Sequence, residues 1–145
     1  MDLNLHENQV TIYYLNYIQV YFNNNFKISI SRIRNAEIRS AVLSLLAKLT
    51  SGWRQPHERR NLIDHDGTSS ELLEVYKVDR QLNLVWTVDI LKEYSHHIQV
   101  MKVWDVARLS DIQKLAKQLD IVFGSYTVDK MHRCKHRCLE GYELI

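Results

Sequence analysis

The stretch Ile98–Gly141, IQVMKVWDVARLSDIQKLAKQLDIVFGSYTVDKMHRCKHRCLEG, decides how this chain is read. Its first residues, Ile98 to Trp104, have the composition of a strand. Ser110 and Gln113 then stand at the spacing of a capping box, and Ile112, Leu115, Ala116, Leu119, Val122 and Phe123 make one apolar helical face that stops at Gly124. Thr127 can cap a further helix on which Met131, Cys134 and Cys138 share a face, leaving Lys130, Arg133 and Arg137 toward solvent. A strand, a long amphipathic helix and a basic helix in unbroken order predict an α+β domain.

Working toward the N-terminus, two more strands are expected at Leu72–Val78 and Leu84–Ile90. In the second, Leu84, Trp86, Val88 and Ile90 alternate with Val85, Thr87 and Asp89, as a strand with one face on a core requires. The short polar connectors Asp79–Asn83 and Lys92–His97 favour antiparallel pairing, because parallel neighbours need a longer crossover. The predicted sheet is a meander of three or more antiparallel strands.

A helix precedes it, with Ile38, Val42, Leu45, Leu46 and Leu49 on one face, Asn35 as its cap and Gly52 in the left-handed position past its end. From Gly52 to Ser70 the chain has neither helical nor strand period and reads as a long surface loop. Val10, Tyr14, Tyr17, Ile18 and Tyr21 also fall at helical spacing, so a helical, aromatic and Asn-rich segment is expected over 1–34 and a single α+β domain over 35–145. Such an aromatic stripe builds core, although the same rings can stack on bases. Ile38, Val42, Leu46, Leu84, Trp86, Val88, Val100, Leu115 and Leu119 are expected to meet in one core between helices and sheet.

Composition supports a folded domain. The 145 residues are 46% hydrophobic and 25% charged, with one Pro and four Gly. A formal charge of +2 is no nucleic-acid signature by itself. Two cysteines four positions apart do not make a disulfide framework, which points to an intracellular location. MDLNLHENQV is not a secretory leader, and no window reaches the ~18 apolar residues of a membrane span, so no membrane partner is expected.

The reactive residues do not assemble a known chemistry. On a helix, His132 and His136 point away from Cys134 and Cys138, and no second ligand pair exists to close a tetrahedral metal site. His96 and His97 lie beside Glu93 in a connector, a setting that reads as solvated. A phosphate loop of the form G-x-x-x-x-G-K-[ST] is absent, so neither a nucleotide cofactor nor ATP hydrolysis is expected. Two basic patches remain. Arg54, Arg59 and Arg60 gather with His57 around Glu58, and Lys130, Arg133 and Arg137 flank Lys135 with no acid among them. Such clusters can neutralise phosphates, and Trp53 or Tyr126 could stack on an unpaired base. Trp53, Arg54, Arg59, Arg60, Lys130, Arg133 and Arg137 are therefore the candidate nucleic-acid contacts, with an ordinary solvated face as the alternative.

One run of residues carries a resemblance. Ala41–Leu49 with Ser51–Arg54, Gln99–Asp105, Ile112–Lys117, Leu119-Asp120, Phe123, Tyr126-Thr127, Arg133–Lys135 and Cys138–Gly141 follow in an order that resembles a segment of large plant proteins. These are the UvrD-like superfamily 1 helicases similar to the TPR and ankyrin repeat-containing proteins, and in that family the segment precedes the ATPase core. The resemblance implies a non-catalytic accessory domain or fragment of a nuclear or cytoplasmic ATP-dependent helicase-like protein, with RNA or DNA and the helicase core of a longer protein as partners. The chain departs from the family in having Ala107-Arg108-Leu109 where Leu-Pro is usual. The order of helix, meander and returning helix is also similar to the RelE/ParE toxin fold. That likeness would make Arg54, Arg80 and His97 the residues for phosphate contact and proton transfer in a small ribonuclease. A protein-interaction module that binds no nucleic acid is the third reading.

Overall fold

In the computed structural model the described residues are 11–15, 18–56, 67 and 72–135. They form a five-stranded mixed sheet with helices on both faces. Two strands come first, β1 (Thr11–Leu15) and β2 (Ile18–Phe22), followed by helices α1 (Asn24–Arg32) and α2 (Ala36–Thr50). Strands β3 (Glu74–Lys77), β4 (Asn83–Glu93) and β5 (His96–Ala107) come next, then helices α3 (Leu109–Gly124) and α4 (Val128–Lys135). The sheet order is β1-β2-β5-β4-β3. The antiparallel meander expected for β3, β4 and β5 is present, and β2 extends it by lying parallel to β5, with Val20 opposite Met101.

The helix expected around Val10–Tyr21 is instead the pair β1 and β2, antiparallel with Thr11 opposite Phe22. Three tyrosines at helical spacing with Val10 and Ile18 misled the period count. β-Branched and aromatic side chains fit a pleated, half-buried surface better than a helix. In β2, Ile18, Val20 and Phe22 are buried while Gln19 and Tyr21 are half-buried, the period of two that a strand requires. Residues 18–32 thereby share a core with Val42 and Leu46 of α2. Asn23 closes the corner after β2: its side chain accepts from the Asn25 amide at 2.8 Å, and its own amide donates to Val103 O at 2.9 Å. Phe26 then stacks on Phe22 at 5.1 Å between ring centroids.

Two apolar layers replace the single core expected. On one face of the sheet, Leu84, Trp86, Val88, Met101 and Val103 pack with Phe26, Val42, Leu46 and Leu49 of α1 and α2. On the other, Val85 and Trp104 pack with Ile112, Leu115, Leu119 and Phe123 of α3 and Cys134 of α4. Every residue of β4 from Asn83 to Ile90 is buried. A strand covered on both faces loses the inside-outside contrast on which the one-core expectation rested. Polar groups on the second face are partnered there, as where Trp104 Nε1 donates to Thr87 Oγ1 at 2.9 Å.

Two caps stand where expected. The Asn35 side chain accepts from the Glu37 and Ile38 amides at 2.8 and 3.3 Å, and Gly52 takes a φ of 100° after α2. The Ser110 cap is corrected: α3 begins earlier, at Leu109, because the Arg108 carbonyl already accepts from the amides of Asp111 and Ile112. Ser110 is therefore inside the helix, and Arg108 provides no side-chain cap. The connector expected over Lys92–His97 shrinks to Tyr94-Ser95, where Tyr94 takes a φ of 56°, so His96 and His97 begin β5. At the outer edge of β3, Gln55 lies buried with its amide group against Lys77. Its Oε1 accepts from the Lys77 amide at 2.9 Å and its Nε2 donates to Lys77 O at 3.1 Å. Among the described residues, no helix is long and apolar enough to cross a membrane.

Candidate functional site

The most concentrated chemistry gathers on Asp89, in the middle of β4 and 1% exposed. Asp89 faces the α3 and α4 side of the sheet because it alternates with Val88. Its diagonal neighbour across the antiparallel pair is Lys102, which stands opposite Thr87. The Lys102 ammonium lies 2.6 Å from Asp89 Oδ2, and that of Lys130, from α4, lies 3.7 Å from Oδ1. The Tyr126 hydroxyl, from the turn between α3 and α4, donates to Oδ2 at 2.8 Å. The Cys134 thiol reaches Oδ1 at 3.6 Å, and the Ile90 amide donates to the same oxygen at 2.8 Å. Lys130 also sits 4.1 Å from the Tyr126 ring centroid, and Phe123 packs edge-on against that ring.

Electrostatics in this cluster favour permanence over proton transfer. Burial pushes the Asp89 carboxyl up, but the Lys102 charge and its hydrogen bond, the Lys130 charge and the Tyr126 hydroxyl outweigh it, holding the carboxyl below its ordinary value. Burial first, and then the facing carboxylate, push the Tyr126 hydroxyl up and raise the Cys134 thiol to about 11. Asp89 is thus ionised and both O–H and S–H protonated at neutral pH. A thiol in that state is a poor nucleophile, and a base or acid poised near neutrality is not among these groups. Among the described residues, no three His, Cys, Asp or Glu side chains are placed to hold a metal ion.

A half-buried carboxylate, Asp105 of β5, ties α1 to the sheet by accepting from Ser29 Oγ at 2.6 Å and from the Val106 amide at 2.8 Å. Burial raises its pKa above the ordinary Asp value, the two hydrogen bonds pull against that rise, and the nearby Asp111 charge adds to it.

The candidate nucleic-acid contacts fall in separate places. Trp53 is 37% exposed, with the Lys48 ammonium 5.3 Å from its ring centroid and its edge toward Tyr76. Arg54 turns inward, donating to Leu49 O at 3.1 Å and Trp53 O at 2.8 Å while its guanidinium lies 5.0 Å from the Trp86 ring. That geometry closes the C-terminal end of α2, where a cation suits the exposed carbonyls. Lys130 turns toward Asp89, whereas Arg133 stays exposed and pairs with Asp129 one helical turn away. Arg59, Arg60 and Arg137 lie outside the described residues. The ribonuclease trio does not come together. Arg80 lies in the turn before β4 and His97 opposite Lys92 near its far end, about 30 Å away along the strand at ~3.3 Å per residue.

Sequence reading placed Lys130 and Tyr126 among surface candidates and passed over Asp89 and Lys102. The available signal was α3 itself. Its apolar face needed a sheet face to cover, so the Val85, Thr87 and Asp89 side of β4 had to be buried and its carboxylate matched by a cation. The chain matches no known family description, no curated protein and no solved structure.

Proposed function

We propose that this chain is a non-catalytic accessory domain of a UvrD-like, TPR and ankyrin repeat-containing type of helicase-related protein, and that it contacts RNA or DNA. One observation carries the non-catalytic part. Lys102, Tyr126 and Cys134, all within the run of residues that bears the resemblance, converge on Asp89 as a buried and mutually satisfied polar centre. That placement supports reading the run as the specification of a scaffold, because Asp89 is held below and Tyr126 and Cys134 above their ordinary values, away from where acid-base or thiolate chemistry needs them. The exposed cations and the partly open Trp53 ring support a phosphate-bearing partner. The helicase core of the longer protein is the second partner of this reading.

A ribonuclease of RelE type is favoured by the succession β2, α1, α2, β3, β4, β5, and opposed by the separation of Arg80 from His97. One experiment decides between these readings. The chain is mixed with end-labelled single-stranded RNA and DNA at several salt concentrations, and the strands are then run on a denaturing gel. Reversible binding that weakens steeply with salt, with every strand intact, is expected. Shortened RNA would install the ribonuclease reading, and no binding at low salt would leave a protein-interaction module.

A further inference from the structure

The helical layer on the α1 and α2 side of the sheet holds the chain's positive excess. Between Asn24 and Thr50 stand Lys27, Arg32, Arg34, Arg39 and Lys48 against one acid, Glu37, a net of +4 in a chain whose formal charge is +2. Arg32, Arg34, Arg39 and Lys48 are exposed and Lys27 is half-buried. None of the five joins an ion pair among the described residues, where Lys102, Lys130 and Arg133 do. Their charge is therefore directed at solvent or at a partner.

The layer places these cations at the two ends of α2. Arg39 Nη1 donates to Ile33 O at 3.2 Å, which holds its guanidinium at the corner between α1 and α2 where Arg32 and Arg34 also emerge. Lys48 marks the other end of α2, over the Trp53 ring. Arg39 and Lys48 are about two and a half turns, or ~13 Å, apart and so flank the exposed ridge of the helix from opposite sides. Ser40, Ser44 and Ala47 on that ridge are exposed and small. They let a sugar-phosphate backbone come close to the helix between the two groups of cations. Trp53 stands where such a strand would leave the helix, and an unpaired base can stack on its open surface.

We infer that the outward face of α1 and α2 binds a single-stranded polynucleotide, with Arg32, Arg34, Arg39 and Lys48 on its phosphates and Trp53 beneath one base. This rests on the nucleic-acid reading above and assigns that reading its surface. Charge complementarity selects this occupant, because a phosphodiester strand carries an anion at each step and can meet the cations at both ends of α2, and no other surface of the described residues has a comparable excess of cations. The interface is sequence-tolerant and salt-sensitive, since it uses phosphates and a ring face and no base edges.

The test measures fluorescence anisotropy of labelled dT20 and rU20 with the full chain over a range of salt. Three variants accompany the parent: Arg32→Ser/Arg34→Ser/Arg39→Ser/Lys48→Ser, its Arg→Lys counterpart at the three arginines, and Arg59→Ser/Arg60→Ser/Arg133→Ser/Arg137→Ser. The first should bind at least tenfold more weakly at low salt, with a log-log salt slope flatter by about 3 for four lost phosphate contacts. Thermal melts establish that it remains folded, and the charge-preserving variant should bind like the parent. Because Trp86 and Trp104 are 0% exposed, polynucleotide should quench only Trp53, and the quench should vanish in Trp53→Phe. Retained affinity in the first variant with loss in the third overturns this surface and leaves the accessory-domain reading standing. Absence of parental binding to either strand overturns both.

Discussion

Replacing Asp89 by Asn tests whether the buried polar centre holds the two-layered fold together. The substitution keeps shape but removes the one anion facing two ammonium groups and hands Lys102 an uncompensated charge. Deleting one partner of a buried pair costs ~3 to 5 kcal/mol. Lys102 is 14% exposed at the side chain, so water relieves part of its charge and the lower end, ~3 kcal/mol, is expected. Lys130, 34% exposed and 3.7 Å away, is screened by solvent and adds little. At ~2 to 4 °C per kcal/mol for a domain of this size, the melting temperature should fall by about 6 to 12 °C. Urea unfolding followed by tryptophan fluorescence measures the loss directly, and pH supplies the internal control. The Asp89 carboxyl is held below its ordinary 3.8, so its stabilisation is complete above that value and disappears as pH falls through the lower folded value. Parent and variant should differ fully at pH 7 and converge in strong acid. A loss under ~1 kcal/mol at pH 7, or a difference independent of pH, would refute the assignment of Asp89 as the anchor.

Helix capping separates two serine-like expectations. Asn35→Ala should cost ~1 kcal/mol through two lost cap bonds, whereas Ser110→Ala, inside α3, should change stability by less than ~0.5 kcal/mol; chemical denaturation reads both, and equal effects would contradict the start of α3 at Leu109. Cys134 should resist iodoacetamide at pH 7.5 in the native chain and react once urea unfolds it, as followed by peptide mass mapping. Rapid native alkylation would show the thiol to be neither buried nor raised to about 11.

What was legible in the sequence were elements whose period is set by one buried face. Val42, Leu46 and Leu49 announced α2, and Leu115, Leu119 and Phe123 announced α3, because each helix turns a single apolar stripe to the sheet. Turn chemistry at Asn35 and Gly52 was equally local. The N-terminal strands were misread because Tyr14, Tyr17, Ile18 and Tyr21 fit a helical spacing while the alternating set Ile18, Val20 and Phe22 overlaps it in so short a window, and only pairing with β5, some eighty positions later, decides between them. The polar centre was hidden for a related reason. Asp89, Lys102, Tyr126 and Cys134 are brought together by register and by the α3 to α4 turn, neither of which a linear spacing rule can express. The basic helical layer was dispersed in the same way, as single cations spread over α1, its connector and α2.

The side-chain amide of Gln55 has the same donor and acceptor as a backbone peptide, and it meets Lys77 in the manner of one residue of an adjoining strand. β3 is the last strand of the sheet on that side, and a bare rim there would offer its unpaired groups to another molecule's strand. Gln55 takes that place with a unit too short to continue. Among the described residues the sheet ends on this counterfeit peptide, which covers one step of the rim without extending it.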